Sequence, residues 1–422
     1  VMTEDNEPEW SLGSLPATAV GQDSQFARFD LTFSLDEHRA GGAASGITGT
    51  IDYATDLFDR ADVDQLGQHL VSVLQQVVAE PSRRISGTTV TLSSDAGWER
   101  EAGESVASLA TLPELFARRV AAAPDRTAVE CDDESLTFAE LDERSTRWAR
   151  LLTEQGVGPE TVVASCLPRS VFSIVALLAI MKAGGVWQPI DPAYPDEYIR
   201  YLIGDSGAEL VLCEEAAAHR FTVPTLVIDA PEIADRLSAA TASPTGPASV
   251  YGAAYIIHTS GSTGRPKGVV VSHAGLAGFA QGYAAYDVTS ESVAMQFASH
   301  SFDGAISEMG MSLMAGATLL MVPERARTLG PEFVRILQRC THAILTPATA
   351  LALNTADIPS GLTLLLAGEA FPAGLVEDIG HRVRLFNAYG PTETTIDVTC
   401  HLVSDRDADP VPIGHPTPGK SV

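Results

Sequence analysis

Hydrophobic positions along the chain change period several times, and each change marks a predicted element. Phe29-Asp-Leu-Thr-Phe-Ser-Leu35 alternates apolar with polar residues, as does Gly49 to Tyr53, which predicts two half-buried strands. Asp62 then opens a segment with Val63, Leu66, Leu70, Val73, Leu74 and Val77 at helical spacing, ended by Pro81. Two strands and one helix in residues 1–91 make a partial α+β domain. Residues 92–110 turn polar without strong periodicity and read as a linker. Thr111-Leu-Pro-Glu114 restarts the order as a capping box, with proline in the first helical turn.

From residue 111 to 422, strand-like apolar runs alternate with helical segments. Thr161 to Cys166, Glu209 to Cys213, Thr225 to Ile228, Ala317 to Val322 and Leu362 to Leu366 are predicted strands. Ser170 to Ala183, Pro331 to Cys340 and Leu375 to Ile379 are predicted helices. Such alternation predicts an α/β fold of layered, mainly parallel sheets covered by helices.

Composition narrows the class of protein. With 422 residues, 45% hydrophobic and 19% charged, the chain has room for two or three ordinary globular domains. Lys and Arg total 27 against 54 Asp and Glu, a formal charge of −27. That field disfavours nucleic acid and anionic membranes as partners. The five cysteines are spread without a CxxC pair, which suggests reduced thiols and a cytoplasmic location. The longest apolar run, Val171 to Met181, is too short to span a bilayer. A start at Val rather than Met suggests a piece of a longer protein.

The strongest chemical signal is Ala254-Tyr-Ile-Ile-His-Thr259-Ser-Gly-Ser-Thr-Gly-Arg-Pro-Lys-Gly268. An apolar strand runs into a turn where Gly261, Gly264 and Gly268 permit close backbone approach. Thr259, Ser260, Ser262 and Thr263 supply hydroxyls and Lys267 a cation, a set suited to a phosphate chain. The spacing departs from the ordinary P-loop, because Pro266 stands where that pattern needs glycine.

This loop resembles the phosphate-binding loop of the adenylate-forming superfamily, and other motifs narrow the resemblance to amino-acid adenylation domains of nonribosomal peptide synthetases. From Leu112 to the last residue the similar motifs follow in family order. Leu136-Thr-Phe-Ala-Glu-Leu141 and Met181-Lys-Ala-Gly-Gly-Val-Trp-Gln-Pro-Ile-Asp191 resemble the first two core motifs. Phe302-Asp303 begins the stretch that shapes the amino-acid pocket, and Gly368, Glu369 and Ala370 with Asn387-Ala-Tyr-Gly-Pro-Thr-Glu393 resemble the nucleotide-binding stretch. Residues 1–91 resemble the tail of a condensation domain, without that domain's adjacent active-site histidines.

The resemblance implies specific roles. Tyr389 stacks on the purine, Asn387 bonds its amino edge, Thr392 reaches the α-phosphate and Glu393 ligates Mg²⁺, with Thr259 and Lys267 beside Glu393 as catalytic groups. Read as residues alone, Tyr389 also fits a core position and Glu393 a solvated turn. Asp303 is implied to pair with the substrate α-ammonium, although a carboxylate there also fits a helix cap. His300 either approaches the substrate carboxylate or packs. The implied pocket walls are Gly304, Ser307, Leu345, Leu365, Ala367, Ala388, Ile396 and Asp397. They make a deep, mostly apolar cavity with one acid, suited to a bulky side chain with one polar handle such as tyrosine or tryptophan, a cationic one being the rival.

The implied reaction joins an amino acid to ATP as aminoacyl-AMP, for transfer to a phosphopantetheine thiol on a carrier domain. ATP and Mg²⁺ are implied, with condensation and carrier domains as neighbours. The family's catalytic-lysine subdomain is expected beyond residue 422, so this stretch alone is expected to adenylate slowly. A non-catalytic binding fragment and an acyl- or aryl-acid ligase of the same superfamily are the alternatives.

Overall fold

The structure is a computed structural model that describes residues 29–40, 43–82, 103, 109–244, 246–247, 249–260, 264–372, 374–404, 407 and 410–422, together with the short strands Ser11–Leu12 and Leu15–Pro16. The chain divides into two units, 1–99 and 100–422. Most of the expected linker, 92–110, lies outside the described residues.

In the first unit the period-two segments form an antiparallel hairpin, Leu31–Ala40 with Ala43–Tyr53, in which Phe33 pairs with Ile51 and Leu35 with Gly49. The helix is Arg60–Ala79, one turn of which passes Ile51 closely at Gly67. Val63 is its one buried residue, while Val71, Leu74 and Val78 on the helix and Phe33, Leu35 and Ile47 on the hairpin leave an open apolar groove.

The second unit carries two sheets. A six-stranded sheet runs Thr225–Val227, Leu210–Cys213, Val162–Cys166, Val186–Pro189, Ala253–Thr259, Lys267–Ser272, parallel except for the last strand. A nine-stranded sheet has a parallel centre: Arg384–Tyr389, Thr363–Leu366, His342–Leu345, Val293–Gln296, Thr318–Met321, Thr127–Cys131. Antiparallel strands extend both of its edges: Thr399–Leu402 and His415–Pro416 at one, Glu134–Thr137 at the other. The mainly parallel α/β architecture read from the apolar runs is therefore present.

Local chemistry explains several boundaries. Thr111 caps the helix Leu112–Ala122 and Glu114 reaches back to it, and Thr137 with Glu140 repeats the device at the helix Phe138–Glu154. The helix Val171–Ala183 is apolar on all sides and buried on all sides, and it stops where Gly184 enters the left-handed region at φ 93°. Its single cation, Lys182, donates to the Asp142 carboxylate at 2.7 Å, Ser145 Oγ at 2.8 Å and Thr146 Oγ1 at 2.9 Å, tying this helix to its neighbour. The expected helix to Cys340 ends at Leu337, after which a turn leads into the strand His342–Leu345.

Candidate active site

The Ser/Gly loop is a hairpin loop. Strands Ala253–Thr259 and Lys267–Ser272 pair antiparallel, with Thr259 opposite Lys267, so the two ends of the phosphate-type sequence face one another across the ladder. Gly261, Ser262 and Thr263 lie outside the described residues; Ser260, Gly264 and Lys267 are exposed. Gly264 sits at φ 80°, and the Tyr201 hydroxyl donates to the Pro266 carbonyl at 2.8 Å, pinning the returning limb. The strand Lys267–Ser272 also packs against the 3-10 turn Thr392–Thr394, which brings the cationic end of the loop to the acidic motif.

That motif is a tight excursion between two strands. Val398 N–H returns to the Tyr389 carbonyl at 2.8 Å, and a Cβ on Gly390 would lie 2.0 Å from the Ile396 carbonyl oxygen. Thr395 and Ile396 take φ of 63° and 72°, a region costly for β-branched residues. The strained loop presents Glu393 to solvent and turns Asp397 inward, where it is 6% exposed.

Asp303 is the first residue of the helix Asp303–Ala315, and its carboxylate accepts from its neighbour Gly304 N–H, so part of the helix-terminus role is real. It also accepts a hydrogen bond from the Thr392 hydroxyl and feels the Glu393 charge. Burial raises its pKa above the ordinary aspartate value, Thr392, Gly304 and its own N–H oppose this, and Glu393 adds to it. The three elements singled out in the sequence thus converge. A half-buried carboxylate beside a second acid and a hydroxyl is an environment that a bound cation relieves.

The pocket residues separate by strand parity. Leu365 pairs in register with Phe386 and with Ile344, and all three pack on the larger core. Ala367 and Ala388, two residues on, continue the Leu365 and Phe386 face. Leu345 points the other way, into the cluster of Phe333, Leu337 and Leu364, so the expected assignment of Leu345 to the pocket is corrected: Ile344 holds that face. Successive side chains in a strand alternate sides, and both sides here are apolar, so an offset of one residue leaves no mark in the sequence. Ser307 lies one turn after Asp303 and is 4% exposed; Gly310 completes that stripe, where a Cβ would meet the Tyr283 hydroxyl at 2.0 Å.

Three buried tyrosines that the motifs did not flag complete this region. The Tyr286 hydroxyl donates to Asp397 Oδ2, while the Tyr255 and Tyr283 hydroxyls and Asp397 Oδ1 are buried without partners. Burial pushes Asp397 up to about 6, opposed by Tyr286, its own N–H and Lys420, and reinforced by Asp303. His300 packs on Trp187 at 6.4 Å between ring centroids; burial, then Arg169 and Arg327, push it down to about 3 and leave it neutral. On the nucleotide side Tyr389 is 50% exposed and no core residue. Asn387 donates its amide to the Pro412 carbonyl at 2.8 Å, on the sheet face opposite Ala388. Gly368, Glu369 and Ala370 are exposed at the end of the strand Thr363–Leu366, and Glu369 accepts from Ala348 N–H at 3.0 Å.

The donor set fits Mg²⁺. Glu393 offers one exposed hard oxygen ligand, and among the described residues no preformed group of three His, Cys, Asp or Glu side chains exists. All five cysteines are free, and no described helix is long and apolar enough to cross a membrane.

The chain is 38% identical over 420 residues to the probable non-canonical nonribosomal peptide synthetase CymA of Salinispora arenicola, covering 97% of this chain and 5% of that protein. It is 39% identical over 328 residues to novobiocin biosynthesis protein H of Streptomyces niveus, covering 74% of this chain and 54% of that one. The chain therefore spans about half or less of these relatives. Among solved structures, the Klebsiella oxytoca NpsA N-terminal subdomain in complex with 3-hydroxybenzoyl-AMSN matches with a TM-score of 0.64 at 25% identity, over 74% of this chain and 80% of that one. Holo-AB3403, a four-domain nonribosomal peptide synthetase bound to AMP and glycine, matches with a TM-score of 0.67 at 25% identity, over 92% of this chain and 29% of that one. Residues 116–422 match the AMP-binding enzyme family, and the chain belongs to it as an adenylation-type domain of the nonribosomal peptide synthetase kind.

Proposed function

We propose that the chain activates an amino acid with ATP. Of all the observations, the Asp303 carboxylate beside Thr392 and Glu393 supports this most, because an α-ammonium placed there meets an anion already partly desolvated. The substrate carboxylate attacks the α-phosphorus of ATP, the bond to the pyrophosphate oxygen breaks, and aminoacyl-AMP and pyrophosphate result. Thr259, Ser260, Gly264 and Lys267, with Gly261, Ser262 and Thr263, hold the phosphates. Tyr389, Asn387, Thr392 and the Gly368-Glu369-Ala370 turn hold the rest of the nucleotide. Glu393 would hold Mg²⁺, whose charge would offset that of the phosphates. The protein's part is positioning and charge stabilisation in a preorganised site. Gly304, Ser307, Leu365, Ala367, Ala388, Ile396 and Asp397 receive the side chain.

Residues 1–91 are read as the end of a condensation domain, 92–110 as a linker and 111–422 as the adenylation core. A carrier-bound phosphopantetheine thiol is the proposed acceptor; the artificially fused adenylation-PCP di-domain NpsA-ThdA is one related arrangement. The aryl-acid reading draws on the NpsA N-terminal subdomain, solved in complex with 3-hydroxybenzoyl-AMSN and with anthranilyl-AMSN. Calorimetry of the chain with a non-hydrolysable ATP analogue, amino acids and their des-amino counterparts separates the two. Amino acids are expected to bind at least tenfold more tightly, and Asp303→Ala to erase the difference. Equal binding of des-amino acids by the unaltered chain would reject the amino-acid reading.

A further inference from the structure

Tyr286 ends the 3-10 turn Tyr283–Tyr286 and is 1% exposed. Its ring stands edge-on to Phe386 at 5.1 Å between centroids and 83° between planes, and its carbonyl is held by His342 Nε2 at 2.9 Å. Arg384, on the same strand as Phe386, pairs with Asp287 and donates to the Ala285 carbonyl, closing the turn from outside. The phenol is therefore fixed before any ligand arrives. Its hydroxyl donates to Asp397 Oδ2, and Asp397 Oδ1 is left buried with no partner. Lys420, the cation that Asp397 feels, gives its ammonium to the Thr394 carbonyl instead. The unpartnered hydroxyls of Tyr283 and Tyr255 continue the polar track, with Tyr283 sensing Asp397 and Tyr255 sensing Asp303.

A carboxylate with one oxygen pinned presents the other in a fixed direction, and a buried acceptor without a donor is costly. We propose that Tyr286 is a positioning residue that sets side-chain specificity. By occupying Oδ2 it aims Asp397 Oδ1 at the far end of the bound amino acid, so the pocket selects side chains ending in an N–H or O–H donor over hydrocarbon isosteres. This rests on the amino-acid reading above and adds a selecting element outside the pocket walls. A site built to bond a donor rejects the analogue lacking it far more strongly than a plain apolar pocket rejects one methylene.

The test is calorimetry of the 422-residue chain with a non-hydrolysable ATP analogue and two matched pairs, L-tyrosine with L-phenylalanine and L-ornithine with L-norleucine. The donor-bearing member of at least one pair is expected to bind about tenfold or more tightly than its isostere. Tyr286→Phe keeps the ring against Phe386 and is expected to shrink that ratio about fivefold, leaving the affinities for the isostere and the ATP analogue unchanged. Asp397→Ala is expected to abolish the preference, and adding Tyr286→Phe to it to change nothing more. Equal weakening of both pair members by Tyr286→Phe would mark a merely structural residue and overturn the proposal. So would an unchanged ratio, or the absence of any preference of the unaltered chain for the donor-bearing member in both pairs, and either result leaves the amino-acid reading standing. If amino acids bind no better than their des-amino counterparts, that reading fails and the proposal falls with it.

Discussion

Arg169 and Glu308 grip the same three residues from opposite sides. The Arg169 guanidinium donates to Gln296 Oε1 and to the carbonyls of Phe297 and Ala298, the latter two at 3.0 and 2.8 Å. Glu308, fully buried on the helix that begins at Asp303, accepts from the N–H groups of Phe297 and Ala298 at 3.1 Å and from Gln296 Nε2 at 3.0 Å. Burial pushes Glu308 up to about 7, and the N–H groups, Arg169 and Gln296 hold it from rising further. This clamp fixes the segment that carries the chain from its strand to His300 and Asp303. Arg169→Ala removes the guanidinium and leaves the Gln296, Phe297 and Ala298 oxygens it serves without a donor, so a loss of about 1–3 kcal/mol in urea unfolding is expected. Amino-acid binding should weaken with it, and wild-type stability in that variant would contradict the clamp.

Asp397 should make the folded state sensitive to pH. Burial holds its folded pKa at about 6, above the ordinary 3.8 of an exposed aspartate, so its contribution is most favourable below pH 3.8 and is lost as pH rises through 6. Asp397→Asn cannot ionise. The stability of this variant relative to the unaltered chain should therefore improve between pH 5 and pH 8, by about 1–1.5 kcal/mol. Urea unfolding at the two pH values measures it; a constant difference would remove the raised pKa.

Glu393 and Lys267 should separate metal from phosphate binding. Lys267→Ala is expected to weaken binding of a non-hydrolysable ATP analogue about tenfold or more, with or without Mg²⁺, because a charge-assisted hydrogen bond is lost. Glu393→Gln should instead reduce the gain in affinity that Mg²⁺ brings. Calorimetry with magnesium and with a chelator reads both, and an unchanged magnesium effect in Glu393→Gln would remove that residue as the ligand.

Gly390 and Gly368 offer a contrast of cause. A methyl on Gly390 collides with backbone at 2.0 Å, whereas at Gly368, φ 85°, nothing lies within 4 Å. Gly390→Ala should cost roughly 1–3 kcal/mol and displace Thr392 and Glu393. Gly368→Ala should pay only the backbone penalty of about 1–2 kcal/mol. Thermal melts, with amino-acid binding alongside, distinguish the two; intact binding in Gly390→Ala would show that the close approach is dispensable.

The amino-acid sequence alone determined what depends on neighbours along the chain. Thr111 and Glu114 start a helix through a contact three residues long, and the apolar runs announce parallel strands because both faces of such strands are covered. The Ser/Gly hairpin and the Asn387 to Glu393 stretch were legible for the same reason, since each motif is contiguous. Tertiary structure alone decided which side of a strand each residue takes. In His342–Leu345 both sides are apolar, so nothing local distinguishes Ile344 from Leu345, and only pairing with Leu365 and Leu366 does. It alone also brought Tyr286 to Asp397 and Thr392 to Asp303, because a tyrosine in an apolar run looks like ordinary core until the fold reveals which buried oxygen its hydroxyl must satisfy.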